Sequence, residues 1–287
     1  MPELPEVEVA RQIFSELIIG KTIAQVNCTV PKIISPGLTE FRHKVVGQKI
    51  IKLTRRAKLL IIHLDSGDCL AMHLKLTGQL VFQAPGKKLI MAGHPMNSIK
   101  EVPNKFSHVI FTFTDETKFY FNDQRKFAYI KLLPECDIIK NGQEYGVEPL
   151  TEEFTFKHFE EVLARHPGMK IKQFLLDQTF IAGIGNIYAD EVLFFSHVLP
   201  VRLIRTLSSE EKKRLYQGIK KILADAINHG STSYDSYAGE NEDVANYNKF
   251  LKVYQREGEP CLSNDNGVIK RIKINGRSAH FCSICQK

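Results

Sequence analysis

Met1-Pro2-Glu3-Leu4-Pro5-Glu6-Val7-Glu8 opens the chain, and apolar residues then recur at Ala10, Ile13, Phe14, Leu17 and Ile18. That spacing is helical. Proline is tolerated in the first turn of a helix, because its missing N–H has no partner there in any case. Carboxylates in the same turn suit the positive end of the helix dipole. One reading is therefore a well-capped amino-terminal helix. A second reading uses chain position. Once Met1 is removed, Pro2 carries a free secondary amine, and an α-amino group with a reference pKa near ~8 leaves a useful neutral fraction. Attack by that amine on a sugar aldehyde carbon gives a cationic iminium, which acidifies the neighbouring C–H and permits elimination. Glu3 beside it can protonate a ring oxygen or a leaving group. Adjacent amine and acid make a minimal lyase.

The rest of the chain sets bounds on that idea. Its 287 residues suffice for two domains, and 43% hydrophobic content is ordinary for a globular protein. Lys plus Arg exceed Asp plus Glu by 39 to 32, a net +7 with pI near 9.0. That balance fits a polyanion partner, although it also occurs in proteins that never meet nucleic acid. No apolar run of about 18 residues is present, so no transmembrane helix is expected. The Glu- and Pro-bearing start does not read as a signal peptide. Cys28, Cys69 and Cys136 are scattered, whereas Cys261, Cys282 and Cys285 cluster. This pattern suits a reducing cytoplasm and one metal site better than a disulfide framework.

Strand texture follows the first helix. Ile50 to Leu64 carries two β-rich runs around Thr54-Arg55-Arg56-Ala57-Lys58, Cys69 to Phe82 alternates loosely, and His108–Phe113 with Lys118–Phe121 reads as a hairpin. Phe127 to Leu133 reads as a further strand. Short strands with turn signals between them predict a β-sandwich or flattened barrel. Gln83 to Lys105, with its prolines and glycines, reads as a surface loop. The texture changes at Pro149-Leu150. Phe156–Arg165, Ile171–Gln178, Ile187–His197 and Ser209–His229 have helical spacing, and Ser208 with Glu211 forms a capping-box signature. Ala182-Gly183-Ile184-Gly185-Asn186 between two of these helices could be a plain turn or a phosphate cradle ahead of a helix N-terminus. Gly230 to Asn248 is polar and aperiodic.

The opening octapeptide resembles that of the formamidopyrimidine-DNA glycosylase / endonuclease VIII family of base-excision repair enzymes, and Leu4 is the glycosylase-branch choice where the endonuclease VIII branch usually has Gly. Similar motifs recur in order to the last residue. The resemblance implies that Pro2 is the Schiff-base nucleophile and Glu3 the acid, with Glu6 orienting this end. Arg55-Arg56-Ala57-Lys58 matches a motif whose lysine contacts the phosphate next to the lesion, a role carried to Lys58. By themselves these cations are a solvated face. Asp123-Gln124-Arg125-Lys126-Phe127 resembles the segment from which an arginine and a phenylalanine enter the gap left by the extruded nucleotide. His73-Leu74-Lys75-Leu76-Thr77-Gly78 stands where the family usually carries a methionine as third wedge, so Leu76 replaces it. His73 and Lys126 lie in the same DNA-facing motifs, and Phe106 stands where the family often has a DNA-contacting histidine. Apart from the family, Leu76 and Phe127 read equally well as core.

The same resemblance makes Ala182 to Glu191 a helix–two-turn–helix signature with Asn186 on the DNA backbone, Lys172 a phosphate grip, and Ser231 to Tyr234 candidate base contacts. It places Arg277 on the tip of a terminal hairpin, entering the minor groove at the lesion. That hairpin holds zinc on two Cys-x-x-Cys pairs in the family. Here Cys282 and Cys285 form one pair, but Asn264 stands where a partner of Cys261 belongs. A structural zinc would then need Asp265, His280 or water beside the three thiolates. The implied organisation is a catalytic sandwich with an N-terminal helix at 1–135, a linker at 136–150, a helix–two-turn–helix domain at 151–248 and a zinc-finger-like hairpin at 249–287. The implied function is a monomeric, cytoplasmic, nucleoid-associated bifunctional glycosylase and abasic-site lyase on duplex DNA. It would remove 8-oxoguanine and formamidopyrimidines and nick the strand by β,δ-elimination. The alternatives are an endonuclease VIII-like preference for oxidised pyrimidines and a non-catalytic damaged-DNA-binding protein.

Overall fold

The computed structural model describes residues 1–94, 101–137, 144–232 and 247–287. The described residues divide into two compact units, one within Met1–Gln143 and His229–Tyr247 and the other within Glu144–Asn228 and Asn248–Lys287. Among them no helix is long and apolar enough to cross a membrane.

In the first unit, helix α1 (Leu4–Ile18) begins with a capping box and carries its prolines in the first turn. Leu4, Val7, Ala10, Phe14 and Ile18 form its buried stripe. The strands that follow are β1 (Ile23–Cys28), β2 (Ile34–Ser35), β3 (Ile50–Arg56), β4 (Leu59–Leu64), β5 (Asp68–His73), β6 (Gly78–Gln83), β7 (Ile90–Gly93), β8 (Ser107–Phe113), β9 (Lys118–Asp123) and β10 (Tyr129–Pro134), with helix α2 (Leu38–Val45) between β2 and β3. They build two five-stranded sheets, ordered β1-β8-β9-β6-β7 and β2-β10-β5-β4-β3. Every pairing is antiparallel except β10 with β2. Alternate residues of both sheets, among them Leu60, Ile62, Leu70, Met72, Leu80, Phe111 and Phe121, enclose one apolar core, which makes this unit a sandwich. Helix α1 packs on β3 and β4 of one sheet and on β6 and β7 of the other. Its Phe14 meets Phe119 edge-on at 5.0 Å. Full burial of such a ring stabilises by roughly 2–3 kcal/mol, so the helix is anchored firmly enough to hold its first turn in place.

Gln83 to Lys105 is not loop throughout, because Ile90–Gly93 pairs with β6 in the register Leu80↔Ala92 and Phe82↔Ile90. A four-residue run bounded by glycine and proline carries too little local signal, and the partner strand supplies the order. The observed hairpin β8–β9 agrees with the sequence reading, as do β3 and β4 on either side of Ala57-Lys58.

The second unit holds helices α3 (Phe156–Ala164), α4 (Ile171–Leu176), α5 (Asn186–Phe195) and α6 (Ser209–Asn228), and the hairpin β11 (Ile269–Ile274) with β12 (Arg277–Cys282). Thr155 caps α3 by accepting the His158 N–H at 3.1 Å. Ahead of α6, the Ser208 Oγ accepts the Glu211 N–H and the Glu211 carboxylate accepts the Ser208 N–H, as the signature requires. The hairpin packs on α5 within this unit.

Candidate active site

The start of α1 and several strand-end loops of the sandwich form the first group of candidate residues. Pro2 and Glu3 are buried at the head of α1. The Glu6 carboxylate organises that head: Oε2 accepts the Glu3 N–H at 2.8 Å, while Oε1 accepts the Thr232 N–H at 3.1 Å and its hydroxyl at 2.7 Å. Glu6 thereby ties the first residues to a segment more than two hundred positions away. Thr232 and Ser231, two of the expected base contacts, are themselves buried, whereas Ser233 and Tyr234 lie outside the described residues.

Lys58 sits at the β3–β4 turn, where Ala57 takes a left-handed backbone with φ 52. Arg55 holds this turn against α1. Its Nε reaches Glu8 Oε2 at 3.1 Å and its Nη1 donates to the Ala57 carbonyl at 3.0 Å. Lys58 is buried. Its neighbour Leu59 is paired with His73 across the sheet, and His73 with Tyr129, so the three loops meet at one end of the strands. Burial pushes the His73 imidazole down to about 3, with Lys75 and Lys58 adding repulsion. The ring is therefore neutral at pH 7, and its Nδ1 accepts the Lys75 N–H at 2.9 Å. His94, at the end of β7, is also held below its ordinary value, first by burial and next by the chain's own ammonium terminus. The sequence reading missed His94, which carries no motif signal.

The candidate wedge residues are held by one carboxylate. Asp123 is buried and accepts N–H groups from Arg125 at 3.2 Å, Phe127 at 2.7 Å and Ala128 at 2.8 Å, together with the Thr77 hydroxyl. The Thr77 hydroxyl oxygen in turn accepts the Arg125 N–H at 3.2 Å. Lys126, with φ 57, turns the chain so that Phe127 projects with 56% of its surface exposed. Arg125 stacks over that ring at 4.9 Å. An exposed phenylalanine on a braced loop is not core, which decides the ambiguity left by the sequence. Leu76, half-buried, shares the loop with Thr77, so the clamp also places the third wedge candidate. Asp123→Ala is expected to cost on the order of 2–3 kcal/mol, since several charge-assisted bonds vanish together. Denaturant unfolding with an unshifted midpoint would contradict this role.

In the second unit, the α4–α5 turn is built by Gln178. Its amide donates to the Leu176 and Ile184 carbonyls at 3.1 and 2.8 Å, and its Oε1 accepts the Gly183 N–H at 2.9 Å. Gly183, with φ 89, supplies a backbone that side chains resist. Asn186 opens α5, and its buried Oδ1 has no hydrogen-bond partner among the described residues. That oxygen is an acceptor beside the helix N-terminus with no protein donor among the described residues. Lys172 departs from the reading as a phosphate grip. It has no exposed surface, its Nζ pairs with Asp190 Oδ1 at 2.6 Å, and it also donates to the Ser278 carbonyl. The other oxygen of Asp190 accepts the His280 N–H and ring Nδ1, each at 3.0 Å. Lys172 is thus a buried strut between α4, α5 and the hairpin. The strut braces the hairpin whose two-residue Asn275-Gly276 turn presents Arg277 to solvent. Glu191 does similar work, accepting N–H groups of Lys252, Val253 and Tyr254 at 2.9–3.0 Å.

The terminal cysteines converge with Asp265. Cys261, Asp265, Cys282 and Cys285 each offer one ligand atom, all within 4.8 Å of one another. Cys261 and Cys285 Sγ are 3.9 Å apart, and Cys282 Sγ is 3.3 Å from Asp265 Oδ2. Two sulfurs on a tetrahedral zinc would be separated by roughly 3.8 Å. Backbone N–H groups of Ser263 and Ile284 point at Cys261 and Cys282 Sγ, and the Gly267 N–H holds Asp265 Oδ1 at 2.8 Å. A Cβ on Gly267 would fall 2.5 Å from Cys282 Sγ and 2.8 Å from Asp265 Oδ1, so only glycine leaves room for this cradle. Desolvation pushes the Asp265 carboxyl up, but the Gly267 N–H and the surrounding thiols outweigh it and bring it to about 2. The residues fit a tetrahedral metal with Asp265 as the fourth ligand. His280 is committed to Asp190 instead, and Asn264 is left on a left-handed turn with φ 55.

Comparison with known proteins agrees along the whole chain. Residues 1–130 match the family model described as the formamidopyrimidine-DNA glycosylase N-terminal domain, and residues 145–237 match the formamidopyrimidine-DNA glycosylase H2TH domain. The formamidopyrimidine-DNA glycosylase of Pelotomaculum thermopropionicum is 40% identical over 290 residues, covering 100% of this chain and 99% of that relative. That of Carboxydothermus hydrogenoformans is 37% identical over 288 residues, covering 100% of both. Among solved structures, a Lactococcus lactis Fpg mutant bound to DNA containing Fapy-dG aligns with a TM-score of 0.87 at 30% identity over 100% of both chains. Lactococcus lactis Fpg with DNA containing an abasic site aligns with a TM-score of 0.86 at 30% identity over 99% of both.

Proposed function

The chain belongs to the formamidopyrimidine-DNA glycosylase family, and from that premise we propose how its residues divide the work. It is a DNA glycosylase of base-excision repair that acts on damaged DNA, with the abasic-site lyase activity typical of the family. The residue assignments rest on the buried head of α1, where Pro2 and Glu3 lie next to the Glu6 anchor.

With Met1 removed, the Pro2 nitrogen attacks the sugar C1′ of the damaged nucleoside. Glu3 protonates the ring oxygen as the C1′–O4′ bond breaks, the attacking Pro2 nitrogen gives up its proton to the damaged base, and the nitrogen lone pair then expels that base from C1′ to leave the iminium. The resulting iminium draws electrons from C2′. Loss of a C2′ proton then expels the 3′-phosphate, and a second elimination expels the 5′-phosphate. Lys58 neutralises the phosphate beside the lesion. Phe127, Leu76 and Arg125 fill the space vacated by the extruded nucleotide, with Lys126 and His73 in the same loops. Asn186 and Arg277 hold backbone phosphates, and Lys172 acts by bracing Arg277's hairpin. The four segments 1–135, 136–150, 151–248 and 249–287 are the corresponding functional divisions.

Oxidised purines are the favoured lesions, because Leu4 is of the glycosylase type. Single-turnover excision from duplexes bearing 8-oxoguanine, a formamidopyrimidine or an oxidised pyrimidine tests this. Faster release of the purine lesions is expected, and a reversed order favours the endonuclease VIII-like reading. We also infer that Cys261, Cys282, Cys285 and Asp265 hold one structural zinc that stabilises the hairpin. Asp265→Ala is expected to surrender that zinc to a chelator far sooner than wild type, as read by elemental analysis. Equal retention would contradict Asp265 as a ligand.

A further inference from the structure

A second cluster of metal-ligating side chains lies on the sandwich, apart from the residues assigned above. Four neighbouring strands of the β2-β10-β5-β4-β3 sheet are involved. Leu53, Leu60, Ile62, Leu70, Met72, Ile130 and Leu132 point from them into the core. The opposite face carries a polar stripe instead: Thr54 on β3, His63 on β4, Cys69 on β5 and Glu135 directly after β10. His63 and Cys69 are paired across β4 and β5, so their side chains leave the sheet together. The Glu135 N–H donates to the Gly67 carbonyl at 3.0 Å, which folds the end of β10 over the same edge.

Three heteroatoms converge there. His63 Nδ1 is 3.0 Å from Glu135 Oε1 and 3.3 Å from Cys69 Sγ. All three potential ligand atoms lie within 4.8 Å of one another. The second ring nitrogen, Nε2, is engaged by Thr54 Oγ1 at 2.7 Å, which orients the ring with Nδ1 toward the other two groups. A single ring nitrogen cannot serve both neighbours. As a donor to Glu135 it offers the Cys69 thiol no acceptor, and as an acceptor from the thiol it faces a carboxylate lone pair. An ion at the point of convergence satisfies all three. With bonds of about 2.3 Å to sulfur and about 2.0 Å to nitrogen and oxygen, tetrahedral ligand atoms stand roughly 3.3–3.5 Å apart, close to the two separations measured from His63 Nδ1.

We propose that His63, Cys69 and Glu135 form a second site for a zinc-class divalent ion, with Thr54 orienting the imidazole and the fourth position open to water. A thiolate, an imidazole and a carboxylate select a borderline metal over calcium or magnesium. Cys69 and His63 are buried while the Glu135 side chain is 59% exposed, so the ion enters from the Glu135 side. On binding, the Cys69 S–H proton leaves to solvent and an S–metal bond takes its place. The ion then pins β4, β5 and the end of β10 together.

Equilibrium dialysis of the full chain against buffered zinc, read by elemental analysis, tests this. Wild type is expected to take up one zinc equivalent more than Cys69→Ala. Glu135→Ala, at an exposed position that leaves the fold intact by circular dichroism, is expected to weaken that uptake by at least the roughly 10–100-fold that loss of an outer-shell partner costs. Asp265→Ala is expected to leave it in place. Uptake by Glu135→Ala and Cys69→Ala matching wild type overturns the proposal. So does a second equivalent that disappears in Asp265→Ala but persists in Glu135→Ala, since the hairpin then accounts for all the metal.

Discussion

Glu3→Gln is expected to lose about 10²–10⁴ in the rate of base excision while duplex affinity is kept. The substitution is nearly isosteric, and the bond from the Glu3 backbone N–H to Glu6 survives it. The amide oxygen can still cap the helix start, so the head of α1 keeps its form. What disappears is the proton: a carboxyl can pass one to the sugar ring oxygen as the base leaves, and an amide cannot. Single-turnover excision of 8-oxoguanine gives the rate, and binding to a duplex with a tetrahydrofuran abasic analogue gives the affinity. Excision at the wild-type rate would remove Glu3 from the role of acid. A parallel loss of affinity would instead make its role structural.

The second large effect comes from the opposite partner. A variant in which Met1 is retained, for instance behind an uncleaved extension, is expected to give no borohydride-trapped adduct with an abasic-site duplex. In that form the Pro2 nitrogen is an amide, whose lone pair is delocalised into the carbonyl and does not attack a sugar carbon. The Glu6 bonds to Glu3 and Thr232 form with Met1 in place, and the Asp123 clamp and the hairpin strut are remote from it, so lesion binding persists. Undiminished trapping by the blocked protein would move the nucleophile elsewhere. Lysine is the natural rival, and Lys58 is a buried lysine at the same end of the strands.

Local pattern carried much of the architecture. The period of α1, the β8–β9 hairpin and the Ser208–Glu211 cap were legible because each depends on residues a few positions apart. The β7 strand was not, since its order comes from β6 rather than from its own four residues. The same distinction runs through the site. Asp123 lies inside a recognisable motif, but its four-point clamp, with Thr77 reaching across from another loop, emerges only once the strands pair. Lys172 looked like a phosphate ligand because a cation in a DNA-binding motif invites that reading. Its partners, Asp190 and the Ser278 carbonyl, are 18 and 106 positions away, and charge pairing at such separations leaves no trace in spacing. For the missing fourth cysteine the sequence leaves Asp265, His280 and water open; in the structure His280 serves Asp190, while Gly267 holds Asp265 beside the thiols. Phe127 reads from sequence as core or wedge alike, and its exposure excludes core.

We propose that the chain's own second residue makes the covalent bond to the sugar. Borohydride reduction of the protein on an abasic-site duplex, followed by proteolysis and mass spectrometry of the cross-linked peptide, reads the attachment point. The deoxyribose remnant is expected on the nitrogen of Pro2 in a peptide lacking Met1. A remnant carried by Lys58, or by any other lysine, with Pro2 unmodified would contradict it.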